Sequence, residues 1–169
     1  MRADTARNAC SHAFSTQATQ WQTTLSNCAL LTRNPDLSNK AGDWKGGSYK
    51  QTERYETDLT VADPLTGEVK KTVHIPYPNY SGALSTGGGL VFTGFTDGTF
   101  AAYDDTTMDQ LWKINVGTGF NAPPMTFEVN GKQYVAILSG LSPISRRRHS
   151  HTPELREMRN QTMLFVFGL

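Results

Sequence analysis

Tight-turn signals recur between short runs of β-forming residues, and this alternation limits the fold more than any other property of the chain. Residues 90–95 and 99–103 are rich in Val, Phe, Thr and Tyr, and Thr96-Asp97-Gly98 joins them. Asp-Gly supplies the positive φ angles of a tight hairpin. Asn130-Gly131 gives the same signal between residues 125–129 and 133–138. The chain is therefore predicted to form antiparallel hairpins of short strands.

The predicted strands fall into three groups. The middle group comprises residues 82–86, 90–95, 99–103 and 111–116, and the last comprises residues 125–129, 133–138 and 163–167. The first comprises residues 12–15, about 20–28, 56–62 and 68–75, with a long insertion at 34–55. Four strands in roughly 35 residues match the size of a propeller blade.

The predicted fold class is therefore all-β, a partial β-propeller of about three four-stranded blades. The approximate blades are residues 9–78, 79–118 and 119–169, and the last blade lacks one strand. A propeller needs at least about four blades to close. Unclosed end blades would leave strand edges and faces uncovered, which isolated proteins avoid. We therefore expect the chain to be a fragment of a larger protein.

Charge and hydropathy exclude some partners and leave others open. Lys and Arg total 16 and Asp and Glu total 15, a net charge of +1 that predicts no nucleic-acid binding. The longest apolar run, Met163 to Phe167, is too short for a membrane span, and no secretory signal is expected at the N-terminus. Cys10 and Cys28 lack a CxxC partner, which favours two unconnected thiols over a disulfide or a metal pair.

A repeat is visible when Asp63 is aligned with Asp104. The shift is 41 residues, within the range of propeller repeats of about 40 to 50 residues. Residues 102–112 carry Ala102, Asp104, Thr107 and Trp112 at the offsets of a docking repeat, with Met108 where that repeat has glycine.

This docking repeat resembles the tryptophan-docking repeat of quinoprotein alcohol dehydrogenases. In the earlier copy, Val61 stands for the alanine and Lys71 for the tryptophan. Residues 80–94 and 131–140 extend the resemblance to the last third of methanol/ethanol-type dehydrogenases that depend on pyrroloquinoline quinone (PQQ). In that family the docking tryptophan packs between blades, so Trp112 is expected to be structural.

The resemblance implies an eight-bladed propeller that holds PQQ with Ca²⁺ or a lanthanide and oxidises a primary alcohol to an aldehyde. A cytochrome would accept the electrons, and the location would be periplasmic. The family's catalytic Asp, most of its metal ligands and its adjacent cysteine pair lie in earlier blades. We therefore expect no catalytic residue and no metal ligand in this chain, and neither activity nor bound cofactor when it is alone.

Three positions correspond to cofactor contacts of the resembled family. Tyr80 occupies the place of a tryptophan at the cofactor edge, and Asn8 follows Ala6-Arg7 as an asparagine does in a polar contact segment. Gly140-Leu141 aligns with a Gly-Trp pair, and Leu141 lacks the indole N–H. Tyr80, Asn8, Gly140 and Leu141 are the candidate cofactor-binding residues.

Other motifs have simpler interpretations. Residues 146–151, Arg-Arg-Arg-His-Ser-His, could bind an anion or, through His149 and His151, a metal, but a solvated loop is favoured. Gly87-Gly88-Gly89 precedes a strand and lacks a Gly-Lys-Ser/Thr sequence, which favours a turn over a phosphate site. The alternative to an enzyme segment is a non-enzymatic propeller scaffold or a decayed gene remnant.

Overall fold

The computed structural model describes residues 7–15, 21–33, 47–63 and 66–169. Within them, antiparallel strands form three sheets. The first sheet contains β1 (Arg7–Ser15), β2 (Trp21–Arg33), β3 (Gly47–Gln51), β4 (Glu56–Ala62) and β5 (Val69–Ile75). The second contains β6 (Ala83–Ser85), β7 (Leu90–Gly94), β8 (Thr99–Asp104) and β9 (Gln110–Asn115). The third contains β10 (Met125–Val129), β11 (Lys132–Leu138) and β12 (Leu164–Gly168).

The remaining regular structure is a short helical segment between β11 and β12. It consists of α1 (Pro143–Arg147), a 3₁₀ turn (Arg148–His151) and α2 (Pro153–Arg156). None of the helices in the described part of the chain has the length and apolarity to cross a bilayer. The predicted all-β, partial-propeller fold is confirmed, and the three sheets do not close a ring.

One strand was not predicted. β3 lies inside the predicted insertion at residues 34–55 and pairs with the second half of β2, with Ala29 opposite Gln51. β4 pairs with the first half of β2, with Trp21 opposite Val61. The Gly-Ser-Tyr-Lys-Gln sequence of β3 has little apolar alternation, so a pattern search misses a strand that is held by pairing to a long neighbour.

Strand β8 of the second sheet is buried on both faces, because its alternate residues point in opposite directions and enter different apolar clusters. Ala101 and Tyr103 join an apolar cluster with Leu59 and Ile75 of the first sheet. Phe100 and Ala102 join another cluster with Val135 of the third sheet. The two clusters therefore connect three sheets in series, and the middle sheet supplies side chains to both.

The 41-residue repeat recurs in the hydrogen bonds of two turns, one after β4 and one after β8. Gly67 N–H donates to the Asp63 carbonyl at 2.8 Å, and Met108 N–H donates to the Asp104 carbonyl at 3.0 Å. The Asp63 and Asp104 carboxylates also accept from the backbone N–H of Thr66 and Thr107, at 3.2 and 2.8 Å. A register shift directly precedes each turn, at Val61/Ala62 and at Ala102/Tyr103. The alignment on the two aspartates is thus a structural equivalence.

Lys71 and Trp112 occupy equivalent places in this repeat, opposite Val61 and Ala102 respectively. Lys71 Nζ donates to the Thr107 carbonyl at 2.7 Å and lies 3.3 Å from Asp109 Oδ1, both in the turn that joins β8 to β9 of the second sheet. The Trp112 ring meets the Phe167 ring of the third sheet edge-on, with centroids 5.6 Å apart. Each position contacts the following sheet, one through charge and the other through an aromatic ring.

The expectation of two unconnected thiols is wrong. Cys28 is disulfide-bonded, and Cys10, the other cysteine of the sequence, lies directly opposite Cys28 in the β1–β2 register. Spacing along the chain could not show this, because the proximity depends on which residues of the two strands pair.

Met108→Gly should be more stable than Met108→Ala, by about 1 kcal/mol, the reverse of the usual order. Met108 has a φ of 60°, where L side chains are strained and glycine is not. Met108 is also 3% exposed within the apolar cluster that joins the first and second sheets. Both variants should therefore lose about 2 to 5 kcal/mol of unfolding free energy through lost packing. Urea unfolding measures the difference, with exposed Met125→Ala as the control. A less stable glycine variant contradicts the prediction.

Trp112→Ala should lower the free energy of unfolding by about 2 kcal/mol, because a half-buried ring loses two aromatic neighbours. Lys71→Ala at the equivalent position should cost less than about 1 kcal/mol, because its ion pair is exposed to solvent. Urea unfolding of both variants tests this. Equal losses of unfolding free energy in the two variants would contradict the prediction.

Candidate functional site

The loop that precedes Tyr80 and the loop that contains Gly140 lie at the same end of the second and third sheets. The Thr96 hydroxyl, in the β7–β8 turn, donates to the Pro78 carbonyl. Gly119 packs against the Thr96 carbonyl, where a Cβ would clash. The Gly140 N–H donates to the Gly119 carbonyl at 2.8 Å. This series of contacts brings the candidates Tyr80, Gly140 and Leu141 to one region.

Tyr80 is half-buried and contacts an arginine from the helical segment. The Arg148 guanidinium carbon lies 5.6 Å from the centroid of the Tyr80 ring and 5.6 Å from that of the Tyr55 ring. An arginine at this distance from an aromatic ring gains a cation–π attraction. Arg148 therefore links Tyr55, between β3 and β4, to the predicted cofactor edge.

The solvated-loop interpretation of residues 146–151 is wrong for two of its members. His149 is 1% exposed, and Arg148 is half-buried against the tyrosines. Arg146, Arg147, Ser150 and His151 are exposed as expected. A run of charged residues conceals such a contact, because only the fold shows which side chain of the run points inward.

Besides the Arg148 contacts, polar contacts among the described residues attach the helical segment to the sheets and loops around it. Asn121 Nδ2 donates to Ser145 Oγ at 2.9 Å, and Ser150 Oγ donates to Gln51 Oε1 at 2.8 Å. Arg54 pairs with Glu154. Ser142 caps α1 by accepting the Ser145 N–H at 3.1 Å, and Pro143 at the first helical position suits a helix start. The segment is thereby held over the end of the sheets that carries Tyr80.

Several buried polar atoms around this segment have no hydrogen-bond partner among the described residues. They are Nδ2 and Oδ1 of Asn79, Oδ1 of Asn121, Nε2 of His149 and Oγ1 of Thr152. Asn79 is next to Tyr80 in the chain and is 3% exposed. Buried polar groups usually have partners, so such atoms are sites where a ligand or water can bind.

Burial lowers the pKa of His149, and the positive charge of Arg146 lowers it further. The imidazole is therefore neutral at pH 7, and one ring nitrogen can accept a hydrogen bond. The nearby Arg148 is then the cation that faces Tyr80.

Gly140 and Leu141 shape the surface at this end of the sheets. The Gly140 N–H and both backbone groups of Leu141 already have hydrogen-bond partners within the chain. Leu141 N–H donates to Asn160 Oδ1 at 2.6 Å, and the Leu141 carbonyl accepts from Asn160 Nδ2 at 2.9 Å. The Leu141 side chain is 7% exposed and packs beside Gly119. Gly140 has a φ of 119° and a Cβ there would meet Thr162, so the position requires glycine.

Asn8 lies in β1 opposite Leu30, and its side chain is outside the described part of the structure. Within the described residues, no group of three or more His, Cys, Asp or Glu side chains is arranged to hold a metal ion. Trp44 also lies outside the described residues. The described site thus consists of Tyr80, Arg148 and the buried amides and imidazole beside them.

Residues 7–135 match the glucose/ethanol/alcohol dehydrogenase β-propeller domain of the PQQ family. The chain belongs to this family. It is 36% identical over 104 residues to a quinoprotein ethanol dehydrogenase of Pseudomonas putida, a match that covers 60% of this chain and 17% of that relative. The chain spans less than a fifth of the length of the curated relatives that it matches first.

Solved structures share the fold of this PQQ-family chain. The quinohemoprotein alcohol dehydrogenase of Comamonas testosteroni has a TM-score of 0.70 and 24% identity, over 93% of this chain and 25% of that one. A europium-containing methanol dehydrogenase has a TM-score of 0.59 and 22% identity, over 94% of this chain and 32% of that one. Both comparisons show a shared fold, and this chain covers about a quarter and about a third of those two structures.

Lowering the pH from about 7 to about 5 should reduce the free energy of unfolding through His149. Its pKa in the folded protein lies below the ordinary value of 6.5, so the unfolded chain binds the proton more readily. The contribution is complete above the unfolded pKa and is lost as the pH falls through the folded pKa. Urea unfolding across this range measures it.

His149→Gln should remove this part of the pH dependence. His151→Gln is the matched control, because His151 is exposed in the same 3₁₀ turn. The same pH dependence in His149→Gln as in the original chain contradicts the assignment.

Proposed function

We propose that this chain forms part of a PQQ-dependent dehydrogenase that oxidises a primary alcohol to an aldehyde, and that it is inactive alone. The match of residues 7–135 to the family's propeller domain carries the proposal. The chain's contribution is three sheets and one part of the wall of the cofactor pocket. The catalytic base and the Ca²⁺ or lanthanide site are assigned to polypeptide outside this chain.

The residues around Tyr80 fit one side of a flat, anionic quinone. The Tyr80 ring offers an aromatic surface, and Arg148 offers a guanidinium for a carboxylate. The Asn79 amide, with both polar atoms unpartnered, can donate and accept. Gly140 and Leu141 fit only as a close-packed support, because Asn160 occupies the Leu141 backbone groups.

When bound, PQQ supplies the acceptor for the hydride that leaves the alcohol carbon. The residues of this chain would contact and orient one side of it. Arg148, held between Tyr55 and Tyr80, places a fixed positive charge beside the pocket, and the helical segment around it reduces solvent access. A cytochrome as electron acceptor and a periplasmic location complete the proposal, and both rest on family resemblance.

The isolated chain should not turn over an alcohol. The assay combines the purified 169-residue chain with PQQ, ethanol, a dye acceptor, and either Ca²⁺ or La³⁺. Dye reduction above that of a heat-denatured sample would refute the statement that the catalytic groups lie elsewhere.

A chimera tests the positive half of the proposal. This chain replaces the segment of the Comamonas testosteroni enzyme on which it superposes, and the product should oxidise ethanol with added PQQ. Tyr80→Ala in that chimera should weaken PQQ binding about tenfold, whereas Tyr80→Phe should leave it unchanged. Equilibrium dialysis measures the binding. A folded chimera that binds no PQQ favours the scaffold alternative.

A further inference from the structure

A cleft of about 440 Å³ lies between the first and second sheets. The end of β5 and the following residues form one wall, and the β7–β8 turn with β8 and β9 forms the other. None of its lining residues belongs to the set around Tyr80 and Arg148. Cavities of this size accept small organic molecules.

Asp97 places a negative charge in the cleft. Its Oδ1 accepts the Thr99 N–H at 2.8 Å, and its Oδ2 accepts the Thr99 hydroxyl at 3.0 Å. Tyr77 lies beside this carboxylate in the cleft, and the Asp97 charge adds to the effect of burial in raising the pKa of Tyr77. The neutral Thr99 donors orient the carboxylate and leave its charge without a counter-ion, since no ion pair within 4.0 Å joins it to another described residue.

Aromatic side chains surround this carboxylate. Tyr77, Phe95 and Tyr103 line the cleft with it, and Phe95 and Tyr103 are each 5% exposed. Burial raises the pKa of both tyrosines, and the Asp97 charge raises it further, so both phenols are neutral at physiological pH. An aspartate in a hairpin turn commonly accepts hydrogen bonds from the residues that follow it, which accounts for the Asp97–Thr99 contacts. The turn does not require Tyr77 or Tyr103.

Two further carboxylates contact His74 at the rim of the cleft. His74 lies at the rim with Asp58 2.9 Å from its Nδ1 and Glu56 3.7 Å from its Nε2. Lys113 is the lysine among the lining residues, and its side chain is exposed in β9. Asp97 and Lys113 are thus the carboxylate and the ammonium that line the cleft, and the two carboxylates that contact His74 lie next to the lining.

We propose that this cleft binds a small organic cation with an apolar body, whose charged nitrogen meets Asp97 and whose body packs against Tyr77, Phe95 and Tyr103. Aromatic rings with a carboxylate recognise ammonium groups through cation–π attraction and charge-assisted hydrogen bonds. This site is independent of the proposed dehydrogenase function. All the residues that form it are in this chain, so the chain alone should bind.

The direct test compares three probes of similar shape with the 169-residue chain. They are phenethylammonium, neutral 2-phenylethanol and anionic 3-phenylpropionate. Phenethylammonium should bind at least about tenfold more tightly than either of the others. Backbone amide signals in NMR should shift at His74, Ile75 and Tyr77 and at residues 95–99. The proposal is overturned if phenethylammonium does not bind at millimolar concentration, if 2-phenylethanol binds equally well, or if the amide signals shift elsewhere in the chain.

Variants assign the binding to the named groups. Asp97→Asn keeps an acceptor for Thr99 and should weaken phenethylammonium binding about tenfold or more. Asp109→Asn is the matched control, an exposed carboxylate that pairs with Lys71 outside the cleft, and should bind as the original chain does. Lys113→Ala should bind equally or up to about threefold more tightly. Unchanged binding in Asp97→Asn rejects the site.

If Asp97→Asn fails to fold, the probe comparison on the original chain still decides the proposal. Tyr77→Phe supplies a milder variant, because it keeps the ring that lines the cleft and removes only the hydroxyl. Its binding should stay within about threefold of the original. Tyr77→Ala removes the ring and should lose about tenfold, and equal binding in both variants contradicts the aromatic wall.

Discussion

The burial of β8 on both faces is the constraint on which the rest of the structure depends. Alternate side chains of one six-residue strand enter two separate apolar clusters, so a shift of one residue would exchange the contents of both. The second sheet therefore fixes the positions of its neighbours on either side. The loops at its end, which carry Asp97 and contact Pro78 and Gly119, take their positions from it.

Local signals were sufficient for most of this architecture. Asp97-Gly98 and Asn130-Gly131 define hairpins whatever surrounds them, and Gly98, Asn130 and Gly131 have the positive φ angles that such turns require. The shift of 41 residues between Asp63 and Asp104 was recognisable because both carboxylates make the same contacts with the following backbone. These features depend on neighbours within a few residues, so the sequence contains them.

Features that depend on distant pairing were not predictable in the same way. β3 is a strand because of β2, and Cys28 faces Cys10 because of the β1–β2 register. At the candidate site, Tyr80 was identified by resemblance, whereas Arg148 was hidden in a run of exposed charges. Its contact joins residues 55, 80 and 148, and no spacing along the chain indicates which arginine of the run faces the tyrosines.

The two equivalent positions Lys71 and Trp112 give the joints between sheets different physical characters. Dissolved ions screen the lysine contact at the first joint, whereas the aromatic contact at the second is insensitive to them. At high salt the Lys71–Asp109 contact between the first and second sheets therefore weakens, whereas the Trp112–Phe167 contact between the second and third sheets does not. A change in ionic strength therefore acts on the polar contact at one side of the middle sheet and spares the ring contact at the other.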